Sequence, residues 1–483
     1  MKKSYILAIA LLIFTGISAY AQQNMRSAYF LDGYTYAYKM NPAFQGERGF
    51  LSIPALGKVS LGAETNLGLS SVVYPSADGT LKTFLHPDVT NEEFLSKMRH
   101  KNLIMANVDM PVLALGFRTG KAYHTLDLSL RADVDGNLTK DLFRFLKVGS
   151  SDGTTSWDIS NFGARAEARA ELAYGLSLKI GEKISVGARV KALAGLARAD
   201  VAMNEMNLKL SSEEWAVNAK GSASISGPVE IRTKGQTGTA QGAEDEDLID
   251  FSSLALKSEN EIIEYLKDPA LGFAVDLGVS ADVLEWLTLS AAVTDLGKIG
   301  WKDVMTASTP ETSWSFDGFE DLSLNAEAEI SQEFESLVSE FSDALNIKKD
   351  GFSEKMSTPL SATAHLGVEA RLPFYERLSI GVLGTHHFAG AYSWTEGRAS
   401  INWALLRIFA ISGCYAVSTH GSSLGAACNI HLPGLTLFAG VDSFLPLLNV
   451  TPTYIPIDNC NTNLTVGLNI SFGKYHGRFP KNK

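Results

Sequence analysis

One short stretch of the 483-residue chain carries the residue types of a serine hydrolase. Gly421-Ser422-Ser423-Leu424-Gly425 fits Gly-x-Ser-x-Gly, the pattern around a nucleophilic serine, and His420 stands directly before it. Such a serine needs a strand before it and a helix after it, because these hold it on a strained turn. The residues after Gly425 alternate like another strand. The stretch is therefore interpreted as a hairpin turn, and we predict no catalytic residues.

Two further groups have the chemistry of metal ligands. Asp133-Val134-Asp135-Gly136-Asn137 is similar to the start of a calcium loop, but Gly136 comes too early and the closing glutamate is missing. His386 and His387 are adjacent, so on a strand their side chains point to opposite faces and cannot share a metal ion. We predict no metal site, no cofactor and no enzymatic activity.

Four charged residues of alternating sign are the best candidates for a functional role. Arg165, Glu167, Arg169 and Glu171 occupy one face of a predicted strand. In a membrane-spanning wall, an arginine that faces lipid near the midplane costs ~2–4 kcal/mol, so these side chains must face the lumen or lie beyond the membrane. Two interpretations stay open. The charges pair with neighbouring strands and fix their register, or they form a polar constriction that selects solutes.

The element that positions these charges is a hairpin over residues 162–190. Apolar residues alternate with polar ones along both of its arms, from Phe162 to Ile180 and from Ile184 to Val190, on either side of the turn Gly181-Glu182-Lys183. A period of two residues indicates strands. Long antiparallel strands with one apolar and one charged face are typical of the wall of a membrane barrel.

The same alternation recurs along most of the chain, with short turns inside strand pairs. Long polar segments at about residues 136–160, 202–268 and 298–358 join one pair to the next, an asymmetry that membrane barrels show. A barrel of this size would enclose a large void if its apolar face pointed inward. We therefore predict an all-β fold, a transmembrane antiparallel β-barrel of about 14 strands (12–16) with its apolar face outward. A soluble sandwich or propeller is the rival fold, but a propeller's repeat is absent from the sequence.

Two helices are expected in the long segments or the lumen. Ser258 and Glu261 resemble a capping box. A second, amphipathic helix is expected over residues 330–345 from the apolar residues Ile330, Phe334, Leu337, Val338, Phe341 and Leu345. Such helices either cover a loop or form a lid or plug over a pore.

The first residues predict export. Lys2 and Lys3 precede an apolar run, and Ala19-Tyr20-Ala21 offers a cleavage site. The run is too short for a spanning helix, which disfavours a membrane anchor. We predict a signal peptide at 1–21, a periplasmic or lumen segment at 22–48, the barrel at 49–474 with insertions near 202–268 and 298–358, and a tail at 475–483.

Composition narrows the class of partner. The net charge of −11 argues against nucleic acid. Three cysteines in a chain this long exclude a disulfide-rich scaffold. Cys414 and Cys428 fall on adjacent predicted strands, and whether they form a disulfide bond stays open.

Several motifs resemble known outer-membrane barrels. Thr465, Gly467, Ile470 and Phe472 fit the pattern that the bacterial barrel-insertion machinery reads on a final strand, and Asn41-Pro42-Ala43 resembles an element of barrels related to the long-chain fatty-acid transporter. More specifically, the chain is similar to a family of uncharacterised outer-membrane barrels, a domain of unknown function. The motifs that carry this likeness are Gly272-Phe273, Asp276-Leu277-Gly278, Thr294-Asp295-Leu296-Gly297, Trp301 and Trp394-Thr395-Glu396-Gly397-Arg398.

The resemblance implies a fold and a cellular location, the outer membrane of a Gram-negative cell, but no established activity. Relatives by fold include diffusion channels for hydrophobic compounds and barrels of type IX secretion systems. By analogy with these, we expect a channel or transporter for a small, hydrophobic solute. The alternative is a docking barrel for a secretion or surface-assembly complex. The expected partners are outer-membrane lipid, the barrel-assembly machinery, and either the solute or a protein of such a complex.

Overall fold

Long strands make up most of the protein. The computed structural model describes residues 24–54, 56–75, 81–149, 156–210, 215–240, 246–309, 347–444 and 461–477. In chain order the strands are β1 (Gly49–Ser52), β2 (Val59–Thr65), β3 (Val73–Pro75), β4 (Leu81–Thr83), β5 (Lys101–Thr119), β6 (Ala122–Thr139), β7 (Ser156–Asp158), β8 (Phe162–Ile180), β9 (Ile184–Leu210), β10 (Trp215–Ser226), β11 (Val229–Thr233), β12 (Ile249–Leu256), β13 (Ala270–Leu284), β14 (Leu287–Ser308), β15 (Lys348–Pro359), β16 (Ala362–Leu372), β17 (Tyr375–Phe388), β18 (Trp394–Leu406), β19 (Phe409–Ser418), β20 (Gly421–Leu432), β21 (Leu435–Val441) and β22 (Asn461–Phe472).

The helices are short. They are α1 (Leu69–Val72), α2 (Asn91–Lys97), α3 (Lys140–Val148), α4 (Lys234–Thr237) and α5 (Glu259–Lys267), with 3-10 turns at Arg26–Ala28, Ala37–Lys39 and Gly390–Tyr392. No helix within the described ranges has the length and apolar character needed to cross a membrane.

The strands close into one antiparallel barrel. Each strand pairs with the next around the ring in the order β5, β6, β8, β9, β13, β14, β16, β17, β18, β19, β20, β21, β22. The last strand, β22, pairs with both β1 and β2, and these in turn pair with β5. Since β1 and β2 together fill one position, the ring has 14 strands, which confirms the prediction of about 14.

The two faces of the wall differ as the alternation requires. Apolar side chains point outward along the strands; Leu172, Ile180 and Ile401, for example, are 52%, 55% and 59% exposed. Their polar neighbours point inward and are buried, among them Glu171 and Asn402. The predicted outward direction of the apolar face is confirmed.

Part of the wall extends beyond the ring. The far half of β9 pairs with β10 instead of β13, and the far half of β14 pairs with β15 instead of β16. The predicted insertions near 202–268 and 298–358 therefore begin as strands and not as loops. The sequence analysis missed these strands because their outer faces carry polar residues above the apolar band.

The predicted helices have different outcomes. The capping box at Ser258 is confirmed, since the Ser258 side chain accepts from the Glu261 backbone N–H and the Glu261 side chain accepts from the Ser258 backbone N–H at the start of α5. Helix α5 has no buried residue and lies on the surface. The helix predicted over residues 330–345 lies outside the described residues.

Candidate functional site in the barrel lumen

The barrel interior holds the protein's own N-terminal segment. Residues 24–48 lie inside the ring before the chain enters the wall at β1. The segment and the wall share one buried apolar cluster, composed of Met25, Ala28, Tyr29, Leu31, Tyr34, Tyr36, Tyr38 and Met40 on the segment and Phe50, Ala114, Leu383, Ala404, Ala410, Ala427 and Phe438 on the wall. The aromatic rings contact mainly edge to face, as between Tyr34 and Phe438 at 5.3 Å.

The motif Asn41-Pro42-Ala43 holds this segment against the wall. Asn41 is fully buried; its Nδ2 donates to the Val279 carbonyl at 3.3 Å, and its Oδ1 accepts from the Ala43 N–H at 2.9 Å. The Ala43 carbonyl accepts from the Ser177 hydroxyl at 2.9 Å. A Cβ on Gly187 would overlap the Pro42 carbonyl. The wall therefore needs glycine where the segment touches it.

A chain of buried ion pairs crosses the lumen beside the segment. The N–O distances between successive members range from 2.5 to 3.7 Å. In order, the members are Lys58, Asp109, Lys39, Asp127, Arg189, Asp276, Lys191, Asp295, Arg131, Glu171 and Arg169. Lys39 belongs to the N-terminal segment, so the chain also ties this segment to the wall.

Of the four candidate residues, Glu171 and Arg169 end this chain of ion pairs, Glu167 binds Arg169 at 3.1 Å, and Arg165 pairs separately with Asp135. Arg169 and Glu171 are 4% and 3% exposed and face the lumen. Direct cross-strand neighbours do not all carry opposite charges. Arg169, for example, stands opposite Arg131 in register. The charges pair diagonally instead, as in Arg131 with Glu171 at 3.0 Å. This geometry allows the register-fixing interpretation, while a role in solute selection stays a prediction.

Two aspartates of the network depend on an irregularity in the wall. Pairing between β13 and β14 shifts after Val275, next to Asp276, and on β14 Asp295 has a positive φ of 61°. The Asp295 N–H donates to an Asp276 carboxylate oxygen at 2.7 Å. The bulge thus turns both carboxylates toward Lys191.

A second cluster holds the beginning of the segment. The Arg26 guanidinium binds Glu64 at 2.7 Å and Glu396 at 2.9 and 3.1 Å. The Asp442 carboxylate accepts from the backbone N–H groups of Arg26 and Ser27 at 3.0 and 2.6 Å.

A narrow polar cavity remains between the segment and the wall. Its lining includes Arg26 and Glu64, the candidates Arg165, Glu167 and Arg169, and Trp394. The cavity measures about 50 Å³, which suits a few water molecules.

The proposed insertion signal lies on both faces of β22. Thr465 is buried, with its hydroxyl 2.5 Å from that of Ser60. Gly467 packs against Phe438, and Ile470 and Phe472 point outward. Recognition of these residues by the assembly machinery stays a prediction.

The serine of the Gly-x-Ser-x-Gly pattern and the two adjacent histidines lie on strands of the wall. Ser423 is fully buried on β20, after a hairpin turn. His387 points inward and contacts Thr363, whereas His386 contacts Thr395. No group of three His, Cys, Asp or Glu side chains that could hold a metal is found in the part of the chain that the structure describes.

Cys414 and Cys428 are free thiols, which answers the open question of a disulfide. Cys414 pairs in register with Gly425, and Cys428 with Ile411. The two cysteines therefore lie an odd number of positions apart along the ladder and face opposite sides of the wall.

Sequence reasoning gave no lumen role to most members of the ion-pair chain and of the second cluster, including Asp109, Arg26 and Glu396. The signal that could have found the wall members is a charged residue at a position whose strand neighbours are apolar. Arg26 and Lys39 carry no such signal, since neither lies on a strand.

Comparison with known proteins gives a family profile and no curated relative. The profile of a family of unknown function (DUF5723) matches residues 42–442. No curated protein matches the chain.

Similar solved structures are barrels of distant sequence. The toluene transporter TbuX of Ralstonia pickettii is 11% identical, with 93% of this chain and 99% of that chain covered and a TM-score of 0.39. The toluene transporter TodX of Pseudomonas putida is 8% identical, with 94% and 98% covered and a TM-score of 0.40. A FadL homologue of Pseudomonas aeruginosa is 11% identical, with 94% and 99% covered and a TM-score of 0.35. At these values the function has to be argued from the chain itself.

Proposed function

We propose that this chain, which belongs to the DUF5723 family of proteins of unknown function, is an outer-membrane barrel that passes a small solute through a lumen closed by its own N-terminal segment. The observation that carries the proposal is the segment itself. It fills a ring of 14 strands that would otherwise be open.

The outer surface supports a membrane location. The wall exposes apolar side chains on many successive strands, for example Leu271, Leu366 and Val382 at 65%, 66% and 55%. Monomeric soluble proteins rarely expose apolar patches of this extent, whereas an apolar outer band is the rule in membrane barrels.

The lumen supports a solute with an apolar body. If the N-terminal segment leaves, the wall residues Phe50, Leu383 and Phe438 of the shared cluster become a free apolar surface. The narrow cavity adds charged groups, including Arg165 and Glu167. A small molecule with a hydrophobic body and one polar group matches both surfaces.

The wall also has an interruption suited to lateral exit. On β22 the partner of Ser52 is Asn469 and the partner of Val59 is Val466. The six residues between Ser52 and Val59 therefore lie opposite only two residues of β22 and form a bulge between β1 and β2. Leu56, in this bulge, is 60% exposed. We take this bulge, in which the Leu56 carbonyl accepts from the Leu468 N–H at 2.9 Å, as the candidate for lateral exit beside passage through the barrel.

Displacement of the segment provides the test. Gly187→Ala places a methyl group against the Pro42 carbonyl, whereas a methyl group at Gly413 meets no atom within 4 Å. We expect Gly187→Ala barrels to conduct in planar bilayers more often than wild type, and Gly413→Ala barrels to behave like wild type. Equal conductance of all three would contradict the proposal.

Uptake identifies the solute class. A deletion strain should lose uptake of at least one member of a panel of small hydrophobic compounds and regain it with the intact gene. Unchanged permeability to the whole panel counts against transport.

A further inference from the structure

The cluster around Arg26 has the composition of a receptor for a guanidinium ion. Two carboxylates, Glu64 on β2 and Glu396 on β18, bind the guanidinium of Arg26, and a third, Asp442 after β21, accepts from its backbone N–H. Glu396 binds the guanidinium through both oxygens, at 2.9 and 3.1 Å. This two-point geometry matches the planar donor fork of guanidinium and not an ammonium ion.

An aromatic face completes the cluster. The Trp394 ring lies 4.7 Å from Arg26 Cζ, a distance at which the ring attracts the cation. Arg26, Glu64 and Glu396 are 5%, 4% and 1% exposed, so little water competes for these bonds.

The charge balance makes the cluster dependent on a cation. Apart from His420, whose Nδ1 lies 3.2 Å from Glu64, the wall supplies three carboxylates and one further cation, Arg398, at 2.9 Å from Glu396. Arg26 is the second cation, and it comes from the N-terminal segment. Without it, Glu64 and Glu396 each lose a guanidinium that they bind in a buried site, and removing one partner of a buried ion pair is strongly unfavourable.

We propose that this cluster is a binding site for guanidinium-bearing solutes, which Arg26 occupies as an internal ligand while the N-terminal segment is in place. The inference rests on the proposed function, since it treats the segment as displaceable. Arg26, Glu64 and Trp394 also line the narrow cavity. A solute in that cavity meets the site directly, and a guanidinium group there holds the site when the segment has left.

Vacating the site tests the proposal in detergent, without any transport measurement. The Arg26→Ala variant should melt at a lower temperature than wild type, and low millimolar guanidinium chloride should raise that melting temperature. Sodium chloride and tetramethylammonium chloride at equal ionic strength should not. Wild type, with its site filled, should not respond to guanidinium.

Two controls locate the effect. Arg26→Ala combined with Glu396→Gln should lose the response, because the two-point acceptor is gone. Arg371→Ala removes a partly buried arginine that contacts the segment, at 3.5 Å from Asp32 and 2.9 Å from Glu369. Within the described residues no aromatic ring lies over its guanidinium, and we expect a weaker response. If Arg26→Ala does not fold, Arg26→Met, which keeps an apolar stem of similar length, replaces it.

The outcomes separate the two proposals. An equal response of Arg26→Ala to guanidinium and sodium, a response that survives Glu396→Gln, or an equal response of Arg371→Ala would overturn the site. A guanidinium response without any solute passage would keep the site and reject the proposed function.

Discussion

Asp109 joins two lysines at the start of the buried ion-pair chain, and its removal gives a sharp test of that network. The carboxylate binds Lys58 at 2.5 Å and Lys39 at 3.1 Å. Lys58 is fully buried and Lys39 is 7% exposed. Asp109→Asn keeps the size of the side chain and removes only its charge.

The expected cost follows from this burial. Removing one partner of a buried ion pair destabilises a protein by roughly 3–5 kcal/mol, because an uncompensated charge remains. Lys39 retains Asp127 at 3.7 Å and the Ser129 hydroxyl at 3.0 Å, whereas Lys58 loses the carboxylate that it binds at 2.5 Å, so the larger share of the cost should come from Lys58. Asp109→Asn with Lys58→Met should therefore recover about 2 kcal/mol or more, since an apolar replacement of a buried pair is often neutral.

Urea unfolding in lipid vesicles, followed by tryptophan fluorescence, measures the free energies. The matched control is Asp88→Asn. Asp88 is 65% exposed and pairs with Lys82, so its loss should cost at most about 1 kcal/mol. The reasoning is refuted if Asp109→Asn unfolds like Asp88→Asn, or if the double variant is no more stable than Asp109→Asn alone.

Three further outcomes are expected. Ile401→Arg, on the outward face of β18, should destabilise the barrel by ~2–4 kcal/mol in vesicles, whereas Phe352→Arg on the extended β15 should change its stability little. A small effect of Ile401→Arg, or a large effect of Phe352→Arg, would contradict this placement of the membrane. Trp301 is fully buried and donates to the Thr358 hydroxyl at 2.8 Å. Trp301→Ala should therefore lower the free energy of unfolding by about 3–5 kcal/mol in the same assay. Ser258→Ala should speed hydrogen exchange in α5 without lowering barrel stability, because the capping box is worth only about 1 kcal/mol and the helix has no buried residue; a fall in the barrel's unfolding midpoint would contradict this.

The wall was predictable from sequence and its contents were not. Period-two runs such as that of β8 specify both strands and faces, because one face must meet an apolar medium. The extended halves of β9 and β14 escaped prediction because their outer faces are polar there, while apolar residues such as Met206 and Met305 lie on the buried face. Arg165, Glu167, Arg169 and Glu171 were found by their alternation.

The partners of those charges required the fold. Arg131 meets Asp295 although 164 positions separate them, and Arg26 meets Glu396 across 370. No local pattern encodes such a pairing. The sequence did indicate Asn41-Pro42-Ala43 as an element of interest, but only the fold explains it, through the glycine at 187 that admits Pro42.

The N-terminal segment also has a consequence for assembly. Some of its partners lie near the other end of the chain: Ser27 binds Asp442, 415 positions away, and the Tyr36 hydroxyl donates to Asn469, 433 positions away. The N-terminal segment therefore finds its place only after the last strands have paired. Contacts of such long range form late in folding. A docked segment thus reports that the ring is complete, so a barrel arrested before β22 closes should leave residues 24–44 open to protease.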